Sequence, residues 1–506
     1  MDPLRLDGAP IDIGAVVAVA RQRRKVALAP AADARMAAAR RVVLQHLEDG
    51  RPVYGLTTGL GPRATSMLPA DILSEFSRVT VRGRAHGVGA RLPAEAVRAA
   101  MLIRAQGLAQ GSAGADPAIA GQLVALLNAG IHPVVPSIGS IGAADLVLMG
   151  HIGLVMMGEG EAELDGAVIS GAAALERTGL KPVAIGPKDG IAIVSSNAIT
   201  VGRAALALHD SRRLLDQAIL AAALSMEGFR GNLSPFDPRI AALRPAPGQT
   251  SVSARLLRFL DGGSLTEPGA ARRVQDPLSL RCIGQVLGSL ASALDFAEHA
   301  VEPELSGSGD NPSVILADGV ILSNGNFHVP AIALAFDTAA IGLAQAANLA
   351  VQRTAKLLTD RLSDLPPTLS PRGPTRAGMA PLLKTGEALA IEISHLANPV
   401  STLSRSSADG VEDDTSNAPQ AVAKLEQALD RFRLLVALEL VVAAQAVEFA
   451  KPARLGKATQ IAQEMVRSVA VAMDEDRGLG SDVEAVATML SDTAIDRRLA
   501  DAFTAR

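Results

Sequence analysis

The chain has 506 residues, 48% of them hydrophobic and 20% charged, with a formal net charge of -4. That balance describes a soluble globular enzyme long enough for two or three domains, and a slightly negative charge with so few aromatics gives no sign of a nucleic-acid partner. Aromatic residues make up 2%, with no Trp and one Tyr, and the single cysteine, Cys282, excludes an intrachain disulfide.

The opening Met1-Asp-Pro-Leu-Arg-Leu-Asp7 has no basic segment leading into an apolar core, so a cytoplasmic protein is expected, in keeping with the lone cysteine. An Ala/Arg-rich helix is predicted from about Ala31 to Leu47, followed by a glycine-dense loop from Arg51 to Gly61. Pro69 to Gln110 reads as helix, interrupted at Gly83 and again from Ala85 to Gly89. A further helix from Asp116 to Ala129 leads through Pro133 and Pro136 into another glycine-rich segment, and Ala167 to Ser170 reads as a short strand.

After Asn197 the pattern changes. Apolar residues recur at helical spacing from Thr200 to Met226, Cys282 to Val301, Pro330 to Leu358, Ala380 to Leu396 and Pro419 to Phe449. Such lengths predict a mainly α helical bundle, and helices that are apolar all round require partners, as an oligomer provides. The expected division is an N-terminal part, 1–200, and a bundle with C-terminal helices, 201–506. The most apolar late run, Leu434 to Phe449, carries Glu439, Gln445 and Glu448 and is too short for a bilayer, so no membrane partner is expected. No His/Cys/Asp spacing resembles a metal-ligand set.

The segment Pro136-Ser-Ile-Gly-Ser140-Ile-Gly142-Ala143-Ala144-Asp145, running on to His151, resembles the signature segment of the aromatic amino acid lyases, the family of histidine and phenylalanine ammonia-lyases. In that family an Ala-Ser-Gly triplet cyclises into an electrophilic methylidene-imidazolone that attacks the substrate and helps its amine to leave. Counting back from His151 and Asp145 places the triplet on Gly142-Ala143-Ala144. Counting forward from Gly139 gives Ala143-Ala144 with the last glycine deleted. Either way an alanine replaces the essential serine, and with no hydroxyl to lose as water no methylidene forms there, so no cofactor is expected. Ser140 is the only nearby serine, and bulky Ile141 follows it where the backbone attack wants glycine.

Further segments match the family in order between about residues 50 and 420. Val53-Tyr54-Gly-Leu-Thr-Thr-Gly59 resembles the loop whose tyrosine is the catalytic base, and Ala85-His86-Gly87 resembles Ser-His-Ala. Gln275-Asp-Pro-Leu278-Ser-Leu-Arg281-Cys282 places Arg281 on the arginine that clamps the substrate carboxylate, a task suited to a planar bidentate cation. Leu278 stands where the family usually has Tyr, and Gly284 where it has Pro. Ser308-Gly-Asp310-Asn311-Pro312 and Ser323-Asn-Gly-Asn326-Phe327-His328 place Asn311 and Phe327 on active-site positions. Strict counting puts Ser195 on the family's substrate-contacting asparagine, and Asn197 reaches it only if the loop shifts. Gly410-Val-Glu412-Asp413-Asp414 resembles Gly-Gln-Glu-Asp-His, and Lys384 takes a position that is normally apolar or an amide and should point toward the pocket. Without this context Tyr54 and His86 are turn residues, the segments around Asn311 and Phe327 flank a hairpin, Glu412 belongs to a solvated acidic triplet and Lys384 is a surface lysine.

The resemblance implies a long-helix bundle of the fumarase/aspartase-like type with a smaller mixed N-terminal part, assembled as a homotetramer with active sites shared between subunits. For the chemistry, a quaternary trimethylammonium is already fully alkylated, departs as a neutral amine and has no lone pair with which to attack an electrophile. The expected activity is therefore a carbon–nitrogen lyase releasing trimethylamine from a histidine-derived betaine, foremost ergothioneine to thiourocanate. In that reading Tyr54 takes the β-proton, Arg281 holds the carboxylate and Glu412 contacts the imidazole-2-thione ring or the cationic head. Lys384 stabilises the ring sulfur, His86 orients Tyr54 or the ring, and cation–π contact comes from Tyr54 or Phe327. Two alternatives stand beside it. One is an ammonia-lyase or aminomutase acting on an aromatic amino acid such as histidine through an electrophile at Ser140. The other is a non-catalytic ligand-binding homologue, against which the joint retention of Tyr54, Arg281 and Glu412 argues.

Overall fold

Alanine-rich helices dominate the computed structural model, which describes residues 2–373 and 375–504. The longest are Ala198–Phe229, Ile283–Ser306, Pro330–Leu358 and Ala418–Ala450. They pack by close approach. A Cβ on Gly202 would stand 3.0 Å from the Ala100 backbone, and one on Gly228 would stand 2.8 Å from the Ala446 side chain. Interiors filled to this density by small residues need few aromatic rings. The stretch Asp189–Phe229 is long and apolar enough to cross a membrane by composition, and its most apolar window is wholly buried in the protein.

The long helices fall where the periodicity placed them, with ends shifted by a few residues. Local chemistry sets the boundaries. Asp116 accepts the Ala118 N–H at 2.9 Å to cap Pro117–Ala129, and Gly130 at φ 74° ends that helix. The Ala167–Ser170 strand forms and pairs antiparallel with Glu161–Leu164. The interruption after Gly83 holds a strand, Val88–Arg91, paired antiparallel with Pro136–Ile138. That pairing lays the His86 segment beside the approach to the signature turn.

The chain forms two units. One runs up to His209 and adds Ala297–Phe336 and Pro399–Val422; the other comprises Asp210–Phe296, Asp337–Asn398 and the chain from Ala423 onward. This differs from a cut at residue 200. Each unit is assembled from three stretches because the helices beginning at Ala198, Ile283, Pro330 and Ala418 each run from one unit into the other.

Each unit has a buried charge pair. In the first, Arg104 meets Asp310 at 2.6 Å, both 2% exposed, directly before Asn311. In the second, Arg353 grips Glu439 through Nε and Nη2 at 2.6 and 2.8 Å, and the Ser225 hydroxyl donates to the same carboxylate at 2.8 Å.

Candidate active site

The signature turn in the first unit is held from within by Asp145. Its fully buried carboxylate accepts the Ser140 hydroxyl at 2.7 Å and the Thr200 N–H and hydroxyl at 2.8 Å each. Burial pushes the Asp145 carboxyl up, and the Thr200 and Ser140 hydrogen bonds oppose that shift. Ser140 Oγ, itself buried, also accepts the Gly142 N–H at 3.2 Å. The serine that precedes the turn in the chain is thus bonded inward. Gly142 at φ +83° lies so close to Ser416 that a Cβ would stand 2.0 Å from its hydroxyl, and Ala144 adopts φ 60°. Gly142-Ala143-Ala144 offers no hydroxyl from which a methylidene could be made, so these residues do not fit the family's prosthetic group.

Two segments flank the turn. On one side Ala143 pairs with His328, and the Phe327 carbonyl accepts the Ala144 N–H at 3.3 Å and the Asn197 amide at 2.7 Å. Asn197 therefore reaches the turn, and its buried Oδ1 has no hydrogen-bond partner. Ser195 is buried at the C-terminal end of the Asp189–Val194 helix. On the other side the Ser416 hydroxyl donates to the Gly142 carbonyl at 2.8 Å and the Asn417 N–H to the Ile141 carbonyl at 3.1 Å. His328 Nε2 and Asp414 Oδ2, 3.2 Å apart, tie the two flanks together. Asn311 accepts the Asn324 N–H at 3.0 Å across the hairpin of Ser313–Ile315 and Val320–Leu322; it holds the hairpin that presents Phe327.

Tyr54 lies on a loop seated by Val53 and Leu56 in a cluster with Ala39, Val43 and Val314. The Val53 N–H donates to Thr57 Oγ1 at 2.7 Å, and the Gly61 N–H donates to the Tyr54 hydroxyl at 3.0 Å. The short turn Gly61–Arg63 packs against Ala408–Gly410, which leads into Glu412. Glu412 is half-buried and accepts the Ser407 hydroxyl at 2.8 Å. Arg84 completes this corner: burial pushes its guanidinium down, while the charges of Tyr54 and Glu412 oppose the shift. His86 is exposed on the connection that follows. The adjacent Gly87 N–H donates to His151 Nε2 at 3.1 Å, and burial pushes the His151 imidazole down, keeping it a neutral acceptor.

In the second unit Arg281 ends the short helix Leu278–Arg281, half-buried, with no acceptor at its buried Nε. Asp276 secures that segment by accepting the Asn232 N–H at 2.6 Å. Lys384 differs from its expected inward orientation. Leu382, Gly386 and Ala390 take the buried face of Ala380–Leu396, so a residue two places from Leu382 and from Gly386 is turned outward and exposed.

The structure thus brings Tyr54, Glu412 and Arg84 together, and joins Asn197, Phe327, His328 and Asp414 around the turn. Arg84, His328 and Asp414 were not singled out from the sequence. His328 and Asp414 lay inside matched segments, and Arg84 stands two residues before His86.

The sequence profile of the aromatic amino acid lyases matches residues 11–468. The chain belongs to that family. Among its relatives, histidine ammonia-lyase of Symbiobacterium thermophilum is 37% identical, with 96% of each chain covered. That of Anaeromyxobacter dehalogenans is 38% identical over 98% of this chain and 100% of its own. Of the solved structures, ergothionase from Treponema denticola in complex with desmethyl-ergothioneine sulfonic acid superposes with a TM-score of 0.95 at 30% identity, covering 98% of this chain and 99% of that one. Histidine ammonia-lyase from Trypanosoma cruzi gives 0.91 at 28% identity, covering 99% and 95%.

Proposed function

We propose that this lyase eliminates trimethylamine from a histidine-derived betaine, converting ergothioneine to thiourocanate, without a methylidene-imidazolone. The observation that carries the reading is the signature turn, where Gly142-Ala143-Ala144 has no hydroxyl and Ser140 donates its own to Asp145 at 2.7 Å. The likeness to ergothionase supports it. The Tyr54 phenolate oxygen takes the β-proton, the C–H pair becomes the Cα–Cβ double bond, and the Cα–N pair leaves on neutral trimethylamine. The Gly61 N–H at 3.0 Å meets the charge on the phenolate before transfer. Arg281, with its open Nε, receives the substrate carboxylate. Lys384 meets the negative charge that spreads onto the ring sulfur, from a neighbouring subunit of a homotetramer with shared sites, and Glu412 addresses the ring. Replacing Tyr54 by Phe should lower kcat by about a thousandfold with binding retained.

The relatives named histidine ammonia-lyase favour a second reading, ammonia release from an aromatic amino acid. Incubation with ergothioneine and, separately, with histidine decides between them. The betaine reading expects a conjugated acid and trimethylamine in equal amounts from ergothioneine alone; ammonia from histidine, with ergothioneine untouched, overturns it.

A further inference from the structure

A quaternary ammonium has no N–H to donate, so a protein can recognise it only through negative charge, neutral oxygens and aromatic faces. Residues of all three kinds are tied to the signature turn through hydrogen bonds. Asp414 is held by His328 Nε2 at 3.2 Å, by the Ser404 hydroxyl at 3.1 Å and by the Thr415 N–H, yet its side chain is 70% exposed, leaving lone pairs open. His328 pairs by its backbone with Ala143, so the carboxylate is anchored through one side chain to the residue at the centre of the turn. Phe327 is the adjacent aromatic. Its carbonyl anchors Asn197, a residue 5% exposed whose Oδ1 is buried without a partner. An amide oxygen held there against the usual satisfaction of buried polar atoms points to a ligand.

We propose that Asp414 receives the fixed positive charge of the substrate, with Phe327 and Asn197 Oδ1 completing the site for the trimethylammonium head, and His328 as the positioning residue that aims the carboxylate. This rests on the betaine reading and gives its cationic head a place distinct from Glu412. The Ser404 hydrogen bond holds the Asp414 carboxyl below the usual carboxylate range, so the charge persists in mildly acidic solution.

Calorimetric titration of the full chain carrying Tyr54→Phe, which blocks turnover, tests the assignment. The two ligands are ergothioneine and its analogue 3-(2-thioimidazolyl)propionate, which keeps ring and carboxylate but lacks the trimethylammonium. Adding Asp414→Asn should weaken ergothioneine about tenfold while the analogue changes by less than about twofold, and Asp414→Glu should recover part of the loss. His328→Gln should give a smaller loss of the same selectivity. Unchanged ergothioneine affinity, or equal weakening of both ligands, overturns the proposal. Failure of the betaine reading looks different: the unmutated protein then releases no trimethylamine, whereas failure of this assignment alone leaves trimethylamine release intact and insensitive to Asp414→Asn.

Discussion

Two arginines in one unit receive opposite treatment. Arg353 is 0% exposed; its Nε and Nη2 meet Glu439, which is equally buried and also accepts from Ser225, and only its Nη1 lacks an acceptor. Arg281 is half-buried and has no acceptor at Nε, and its neighbours Ser279 and Gln285 likewise keep buried oxygens without partners. Folded proteins rarely leave buried polar atoms open, so a local group of them marks a surface that something else completes. The first region holds helices together, whereas the second keeps a group of polar atoms open, as the proposed carboxylate site requires. The signature turn shows the same contrast on a smaller scale, with Asp145 saturated and Asn197 Oδ1 open.

Breaking the closed pair should have the largest effect. Arg353→Met or Glu439→Gln leaves one buried charge uncompensated and should cost about 3–5 kcal/mol in denaturant unfolding. Arg281→Met should do the reverse, lowering kcat/KM about a hundredfold, chiefly through KM, with Tm unchanged. An equal loss of Tm in both variants would erase the distinction between the two arginines.

Glu304 sharpens the same point, since it is half-buried and desolvation, the one cause of its shift, pushes its carboxyl up to about 7. The folded state then holds the proton more tightly than the unfolded chain. The associated stability is present below pH 4.5 and lost as the pH rises through 7. Relative to Glu304→Gln, the protein should lose about 2 kcal/mol across that window, read from denaturant midpoints at successive pH values. Ser140→Ala should have the smallest effect, about 1.5 kcal/mol of stability from the lost hydrogen bonds to Asp145 and from the Gly142 N–H, with trimethylamine release retained. Abolished turnover in that variant would favour an electrophile built from Ser140.

Much of this was legible in the sequence because the information is local. Ala- and Leu-rich stretches announce long helices, so Pro330–Leu358 and Ala380–Leu396 fall on their expected ends. Glycines around Tyr54 announce its loop. What stayed hidden depends on contacts between distant residues. His328 and Asp414 are 86 residues apart, and an acidic triplet reads as solvated surface until a histidine is found against it. Counting puts Ser195 on the family's asparagine position, whereas in the structure it is Asn197 that bonds to the Phe327 carbonyl. The orientation of Lys384 depends on which face of its helix the unit buries, and Leu382, Gly386 and Ala390 decide that. The interleaving of the two units was invisible because a helix such as Ala418–Ala450 carries no composition change where it passes from one to the other.

The central claim concerns a bond that never forms, and the intact mass of freshly purified, active protein measures it directly. The account predicts the full mass of the unmodified chain in preparations that release trimethylamine. A mass short by two waters, mapped to a peptide containing residues 139–145, would contradict it.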